Sequence, residues 1–142
     1  GAHEDDRNAI IYLSTLLDND NSKMFTWVNE NLTCEELKAT YSNLYFFVGT
    51  RFHSVIFSLT SYVPSISIAY GGNKGVGIMR DFNLSDYVVS INEVDSNKLI
   101  KMFKSAVQNY DIIINELVSK TDVLKLERDR TISIIQNSVS GH

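Results

Sequence analysis

The sequence has few of the residues that cross-link or interrupt a fold, with one cysteine and one proline among 142 residues. Cys34 alone cannot form an internal disulfide and is too little for a zinc site, so we expect a reduced, cytoplasmic setting. Long hydrophobic runs are also lacking. Because a membrane-spanning helix needs about 20 consecutive apolar residues, no transmembrane segment is expected. The sequence also lacks the ligand spacings of metal sites and therefore predicts a metal-free site.

Acidic residues are lacking in the middle of the chain. All 17 Asp and Glu residues lie within Glu4–Glu36 or Asp81–Asp129. Basic side chains remain in the acid-free window between these segments: Lys38, Arg51, His53, Lys74 and Arg80. The window is compatible with the buried middle of a fold, where charge is disfavoured, or with a positive site for an anionic ligand. The net charge of −4 argues against a general nucleic-acid binder, which would carry a basic surface.

Helical and strand periodicities alternate along the chain, which is typical of an α/β layer fold. Leu44–Val48 is a continuous apolar run of the kind found in buried parallel strands. The order αβαβαβαβαα predicts a parallel, doubly wound sheet with crossover helices between its strands. The predicted strands are Met24–Val28, Leu44–Val48, Ser65–Tyr70 and Tyr87–Ser90.

Capping residues and breakers set the expected helix boundaries. Asp18–Ser22 is polar throughout and predicts a loop. A long helix is expected to continue to about Leu117, followed by a final helix from about Thr121. The expected N-caps of the predicted helices are Asp5 or Asp6, Thr33 in a capping box with Glu36, and Asp95.

Two loops are predicted at the carboxyl ends of strands, where parallel sheets bind ligands. Gly49–Ser54 leads into a helix, whose N-terminal amides attract anions, and Arg51 offers a two-pronged contact to carboxylate or phosphate. In Tyr70–Lys74, glycine permits close backbone approach and Lys74 supplies a point charge. Taken singly, an arginine such as Arg51 is more often a surface or helix-cap residue, and a histidine such as His53 is more often a partly buried structural residue than a catalyst. On a continuous helix, side chains at i and i+2 point about 200° apart, so Arg51 and His53 converge only if the turn is not yet helical.

These residues resemble the signature of the polysaccharide pyruvyl transferases. The similarity is carried by the strand and turn Val48-Gly49-Thr50-Arg51-Phe52-His53-Ser54, the helix end Val63-Pro64, and the strand Ile66-Ser67-Ile68-Ala69-Tyr70. Lys74 with Gly77-Ile78-Met79-Arg80-Asp81 extends it. The specific part of the resemblance is therefore Gly49–Asp81.

The resemblance implies a Rossmann-like, three-layer α/β domain with a parallel sheet, similar to the C-terminal half of a GT-B-type two-domain enzyme. We therefore expect residues 1–142 to be one donor-binding domain from a longer protein, inactive without the missing N-terminal domain. The implied reaction transfers a pyruvyl group from phosphoenolpyruvate to a saccharide acceptor, with no other cofactor. It is expected in the cytoplasm, or at a membrane through the polysaccharide assembly machinery.

The resemblance also implies roles for individual residues. Arg51 would hold carboxylate or phosphate, Lys74 would neutralise phosphate, and His53 would be the catalytic acid/base. The remaining expected substrate-binding residues are Thr50, Ser54, Tyr70 and Asn73. Two alternatives stay open: the donor half of a GT-B nucleotide-sugar glycosyltransferase, which usually carries a Glu for the ribose, and a non-catalytic anion-binding module.

Overall fold

A computed structural model describes residues 6–72 and 74–140. Contacts between Cα atoms divide the chain into two compact units, with the boundary between Thr33 and Cys34. The predicted strands Ser65–Tyr70 and Tyr87–Ser90 and the two loops of the predicted site belong to the second unit.

In its described part, from residue 6 onwards, the first unit has two helices, α1 (Asp6–Leu16) and α2 (Asn19–Ser22). The prediction of a loop over Asp18–Ser22 was wrong, because the Asp18 carboxylate accepts a 2.8 Å hydrogen bond from the amide of Asn21 and caps a helical turn. This hydrogen bond is the main reason that the pKa of the Asp18 carboxyl is below its ordinary value. Asp6 is the first residue of α1, and the alternative cap Asp5 lies outside the described residues.

The predicted strand at Met24–Val28 is also wrong, since residues 25–29 have no regular secondary structure. Its apolar side chains are largely exposed, with Met24 82% accessible. A strand needs a neighbouring strand for its backbone hydrogen bonds, and this run pairs with none in the described sheet.

The second unit contains three strands and five helices among the described residues. Its helices before Tyr110 begin close to the expected positions, and the first of them starts directly after Thr33. A short 3₁₀ turn, Ser85–Tyr87, precedes the last strand. In chain order the elements are α3 (Cys34–Ser42), β1 (Phe47–Gly49), α4 (Phe52–Leu59), β2 (Ser65–Ala69), α5 (Lys74–Asp81), β3 (Val88–Ser90), α6 (Ser96–Gln108) and α7 (Tyr110–Ser140).

The three strands form one parallel sheet, as predicted, in the order β1-β2-β3. Phe47 is paired with Ser65, and Ser67 with Val88. This order runs in one direction, so the described sheet lacks the reversal of strand order that defines a doubly wound sheet. Crossover helices α4 and α5 contact each other, which places both on one face of the sheet.

Two adjacent aromatic residues show that helices cover both faces of the sheet. The Phe47 ring packs edge-on against Tyr41 of α3, with ring centres 5.2 Å apart. The Phe46 ring packs edge-on against Phe103 of α6 at 5.0 Å. Because successive side chains of an extended chain point to opposite faces, α3 and α6 lie on opposite sides of the sheet. The expected three-layer arrangement is therefore present.

The hydrophobic core joins the sheet to helices α4 to α7. Ile66 of β2 is fully buried at its centre, as are Leu59 of α4, Met79 of α5 and Leu117 of α7. Pro64 is also buried and immediately precedes β2, where its fixed φ and missing N–H fit the start of a strand. Packing in this core holds the carboxyl ends of β1 and β2 in place, and it therefore positions the loops that follow these strands.

The C-terminal helices confirm one prediction and correct another. Asp95 caps α6, its carboxylate accepting a 2.8 Å hydrogen bond from the amide of Lys98. The expected break between Leu117 and Thr121 is wrong, because α6 ends at Gln108 and α7 runs unbroken through that region. At the actual break, the amide of the Asn109 side chain donates to the Ser105 carbonyl at 2.9 Å and competes with helix continuation.

The 31 residues of α7 make it the longest described helix. At about 1.5 Å per residue it extends about 46 Å. Its first third is packed into the core, whereas residues 122–138 are exposed. Among the described residues, no helix is both long and apolar enough to span a bilayer.

Candidate functional site

A cleft of about 140 Å³ lies at the carboxyl edge of the sheet. Thr50 follows β1 and Tyr70 follows β2, and both border this cleft together with Lys74. Three of the predicted site residues are therefore brought together at the edge where parallel sheets bind ligands. The other residues bordering the cleft are Phe52, Ser67, Ala69, Gly71 and Gly75.

Two helices begin beside the cleft. α4 starts at Phe52 and α5 starts at Lys74, and both residues border the cavity. The first amides of a helix have no partner within the helix and carry a partial positive charge. Neither helix has an acidic residue in its first turn. The positive potential of the two helix ends is therefore not neutralised by neighbouring carboxylates.

Lys74 occupies an electrostatically unfavourable position. It is the first residue of α5, where the helix dipole favours an anion over a cation. A lysine here adds to the positive potential of the helix end. An anion in the cleft would interact favourably with both at once, so the cost of this placement is offset when such a ligand binds.

Glycines border the cleft or lie directly beside it. Gly71 and Gly72 have φ values of 55° and 90°, in the left-handed region that side chains disfavour. Gly75 permits close packing of α5 on β2, because a Cβ there would lie 3.2 Å from the Ala69 Cβ and 3.4 Å from the Ser67 Oγ. Ser67 is only 2% exposed and reaches the cleft from within the strand.

Arg51 and His53 do not border the cleft, although Thr50 and Phe52 beside them do. Arg51 is the N-cap of α4, with an extended backbone at φ −83° and ψ 124°. The backbone is therefore not yet helical at Arg51. A non-helical turn is what the Arg51 and His53 side chains need in order to point towards the same place. His53 is an exposed residue in the first turn of α4, and its ring lies 5.6 Å from that of Phe52 at 69°.

The remaining predicted residues are distributed differently. Ser54 accepts a 3.1 Å hydrogen bond from the Tyr41 hydroxyl, so its side chain links α4 to α3 and does not border the cleft. Asn73 lies outside the described residues. Phe52, Ser67 and Gly75 were missed by sequence reasoning. For Gly75 a signal existed, namely a glycine at the start of a helix that follows a strand.

Comparison with known proteins identifies the family. A family model described as polysaccharide pyruvyl transferase matches residues 1–72, half of the chain. The chain belongs to the polysaccharide pyruvyl transferase family. The match includes β1, α4 and β2 and ends at Gly72, so Thr50 and Tyr70 lie within it and Lys74 lies two residues beyond it.

A relative from Erwinia amylovora, the amylovoran biosynthesis protein AmsJ, is 24% identical over 111 residues. The alignment covers 78% of this chain and 26% of AmsJ, so the chain spans about a quarter of that relative's length. No solved structure matches the chain significantly.

The geometry of the cleft suits an anion. Two helix ends, the Lys74 ammonium and the Thr50 hydroxyl are hydrogen-bond donors, and none of the described residues that line the cleft carries a carboxylate. Among the described residues, no group of three His, Cys, Asp or Glu side chains is placed to hold a metal ion.

Proposed function

We propose that this chain is the donor-binding half of a polysaccharide pyruvyl transferase and that its cleft binds phosphoenolpyruvate. The observation that carries the proposal is Lys74, placed at the positive end of α5 on a cleft without carboxylates. Phosphoenolpyruvate has a phosphate and a carboxylate, and the cleft lies between two helix ends. Family membership supports pyruvyl transfer as the reaction.

Each group of the donor has a candidate partner. Lys74 and the first amides of α5 bind the phosphate, since an ammonium and a helix end both favour a dianion. The Thr50 hydroxyl and the first amides of α4 bind the carboxylate. Arg51, at the N-cap of α4, provides a further contact to the donor carboxylate when its side chain rotates towards the cleft. Tyr70, 57% exposed, borders the open side, where an acceptor sugar would approach.

The proposed reaction uses two hydroxyl groups of the acceptor sugar. The first hydroxyl adds to C2 of phosphoenolpyruvate, and its proton is passed to the methylene carbon, which becomes a methyl group. His53 is the proposed carrier of this proton: it is exposed next to Phe52, which borders the cleft, and it would reach the donor from outside the cleft lining. The second hydroxyl then displaces the phosphate, which leaves with the second proton, and a pyruvyl ketal is formed. The charge that develops at C2 and on the leaving phosphate is stabilised by fixed cations. An imidazole suits the proton transfer because it titrates near neutrality.

In this proposal the cleft is completed by a second domain of GT-B type that binds the saccharide acceptor. The small part of AmsJ that this chain covers supports a longer active protein. AmsJ is an amylovoran biosynthesis protein, and we propose a related role for this chain, with a surface polysaccharide or its precursor as acceptor.

Titration of the complete protein with phosphoenolpyruvate tests donor binding. We expect saturable binding that Lys74→Ala weakens about tenfold or more, because a charge-assisted contact contributes about 1.5–3 kcal/mol. Lys104→Ala is the matched control, since Lys104 is an exposed lysine of α6 that does not border the cleft. Binding of a nucleotide sugar in place of phosphoenolpyruvate, or equal effects of the two variants, would contradict the proposal.

The role of His53 is tested by separating binding from turnover. We expect His53→Ala to bind phosphoenolpyruvate normally and to lose pyruvyl transfer by about 100-fold or more, which is the usual contribution of a positioned acid or base. Retention of full turnover would remove His53 from the mechanism without affecting the donor-binding proposal.

A further inference from the structure

A second cavity, of about 210 Å³, lies at the opposite end of the sheet from the cleft. It is located where α4 ends and the chain turns into β2, beside the middle of α7. Its lining comes from two helices, α3 and α7, and from the end of α4, all within the second compact unit. The residues that border it are Lys38, Thr60, Thr121, Leu124, Lys125 and Arg128.

One of these residues has an unsatisfied hydroxyl. Thr121 is only 4% exposed, and its Oγ1 is the one buried side-chain polar atom without a hydrogen-bond partner among the described residues. Threonines in helices usually donate to the carbonyl four residues earlier, as Thr131 does to Glu127 at 2.9 Å in the same helix. Thr60, across the cavity, donates to Ile56 at 2.8 Å. An unpaired buried hydroxyl is destabilising unless a ligand or an ordered water accepts its hydrogen bond.

Three cationic side chains border the same cavity, and no carboxylate does. Lys125 is held by the Tyr62 hydroxyl at 2.7 Å and by Asp122 at 3.3 Å. Arg128 is paired with the Asp129 carboxylate at 2.8 Å. Lys38 approaches from α3. Asp122 and Asp129 thus pair with two of the three cations that border the cavity. One positive charge remains in excess around the cavity.

Tyr62, which holds Lys125 beside this cavity, has an unfavourable backbone conformation. Its φ of 64° is left-handed, a conformation that side chains with a Cβ disfavour by about 1–2 kcal/mol. Glycine is the usual residue at this position after a helix. Tyrosine adds the hydroxyl that fixes the Lys125 ammonium, which also lies 5.4 Å from the centre of the Tyr62 ring. Backbone strain of this kind is found preferentially at binding sites.

We propose that this cavity binds a phosphate group, with the Thr121 hydroxyl and the cations Lys38, Lys125 and Arg128 as donors. A tetrahedral oxyanion can accept from several donors that converge from different directions, and it supplies the acceptor that the Thr121 hydroxyl lacks. The phosphate belongs either to a small soluble ester or to the headgroup of a membrane lipid. The site is separate from the donor cleft, since the two cavities share no lining residue.

The first test is an NMR titration of the ¹⁵N-labelled chain with inorganic phosphate at constant ionic strength. We expect saturable shifts of the Thr60, Thr121 and Lys125 amides. Thr121→Val, which keeps the shape and removes the hydroxyl, weakens phosphate binding about tenfold, as does Lys38→Gln combined with Lys125→Gln. Lys101→Gln, a change of an exposed lysine on α6, leaves the affinity unchanged.

The second test identifies the source of the phosphate. Sedimentation with vesicles containing phosphatidic acid is compared with sedimentation with neutral phosphatidylcholine vesicles, for the wild type and the same variants. Binding to anionic vesicles that Thr121→Val weakens would assign the site to a lipid headgroup. Saturable binding of inorganic phosphate without such vesicle binding would assign it to a soluble ester. If Thr121→Val and Lys101→Gln behave alike with both probes, or neither probe binds, the proposal is wrong.

Discussion

The Lys125 ammonium lies 2.7 Å from the hydroxyl oxygen of Tyr62, a residue 63 positions earlier in the chain. This contact connects the middle of α7 to the left-handed residue that ends the α4 turn. It is also the main reason that the pKa of Lys125 is raised above its ordinary value, with the hydrogen bond to Asp122 second. The cationic form is therefore favoured by the folded arrangement.

Tyr62→Phe should lower the pKa of Lys125 towards its ordinary value, because the ring stays and the hydroxyl acceptor is lost. A raised folded-state pKa stabilises the fold below the ordinary lysine pKa, and this contribution is lost as the pH rises through the folded value. The variant should therefore lose less stability than the wild type over that alkaline interval. NMR titration of the lysine side-chain signals checks this. An unchanged Lys125 midpoint, with Asp122→Asn lowering it instead, would show that the carboxylate is the main cause.

Two glycines of α5 offer a matched comparison. An added Cβ at Gly77 meets nothing within 4 Å, so Gly77→Ala should stabilise the protein by about 0.5–1 kcal/mol through the helix preference for alanine. At Gly75 the Cβ would press on Ala69 at 3.2 Å. Gly75→Ala should therefore be less stable than Gly77→Ala by about 1–2 kcal/mol. Urea unfolding measures both. Equal stability of the two variants would show that α5 is not packed tightly on β2.

Asn83 is the second non-glycine residue with a left-handed backbone among those described, at φ 59°. Its side-chain amide also donates to the Glu116 carboxylate at 2.8 Å. Asn83→Ala should destabilise the fold by about 1–2 kcal/mol, since alanine disfavours this conformation. Asn83→Gly loses the same hydrogen bond but relieves the backbone and should therefore be more stable than Asn83→Ala. Thermal unfolding ranks the variants, with Glu116→Gln as the control for the side-chain contact. An Asn83→Gly variant as unstable as Asn83→Ala would assign the effect to the hydrogen bond.

Tyr110 is packed against Tyr45, and its ionisation should respond to this environment. Burial raises its pKa, and Tyr45 and Asp111 nearby add to the shift. Its hydroxyl donates to the Tyr45 carbonyl at 3.2 Å, and the two rings stack at 4.6 Å. Because the folded-state pKa is raised, the neutral form stabilises the fold until the pH rises through that value. Tyr110→Phe should remove a component of the tyrosinate absorbance titration that lies above the ordinary tyrosine pKa. Loss of a component at the ordinary pKa would contradict this expectation. Tyr12→Phe, an exposed tyrosine of α1, is the control for the loss of one chromophore.

The features of the fold that could be predicted from the sequence are those set by local chemistry. Pro64 and the glycine pair after Tyr70 delimit β2, and Asp95 caps α6 through its own side chain. Met24–Val28 has the composition of a strand, but a strand also requires a partner, and partners are decided by the tertiary structure. The boundary at Asn109 was missed because the apolar spacing continues across it, while a side-chain hydrogen bond ends the helix.

The residues of the candidate site also divide into those that could be predicted from the sequence and those that could not. Thr50, Tyr70 and Lys74 could be placed because the carboxyl ends of parallel strands lie at one edge. Ser67 lies inside a strand and reaches the cleft only because Gly75 leaves room beside it. The cavity at Thr121 could not be predicted, since it depends on α7 passing beside α3 and the end of α4. Residues 83 positions apart, Lys38 and Thr121, border the same cavity for this reason.

The shortness of β1 and β3 has a consequence for the behaviour of the protein in solution. They are the two edges of the described sheet, and each has three residues. An exposed edge recruits strands of other molecules through its unpaired backbone groups, and a short edge offers few of them. Although Val48 on β1 is 45% exposed, a foreign strand would gain few hydrogen bonds there. The short edges of the described sheet therefore disfavour edge-to-edge pairing with other molecules.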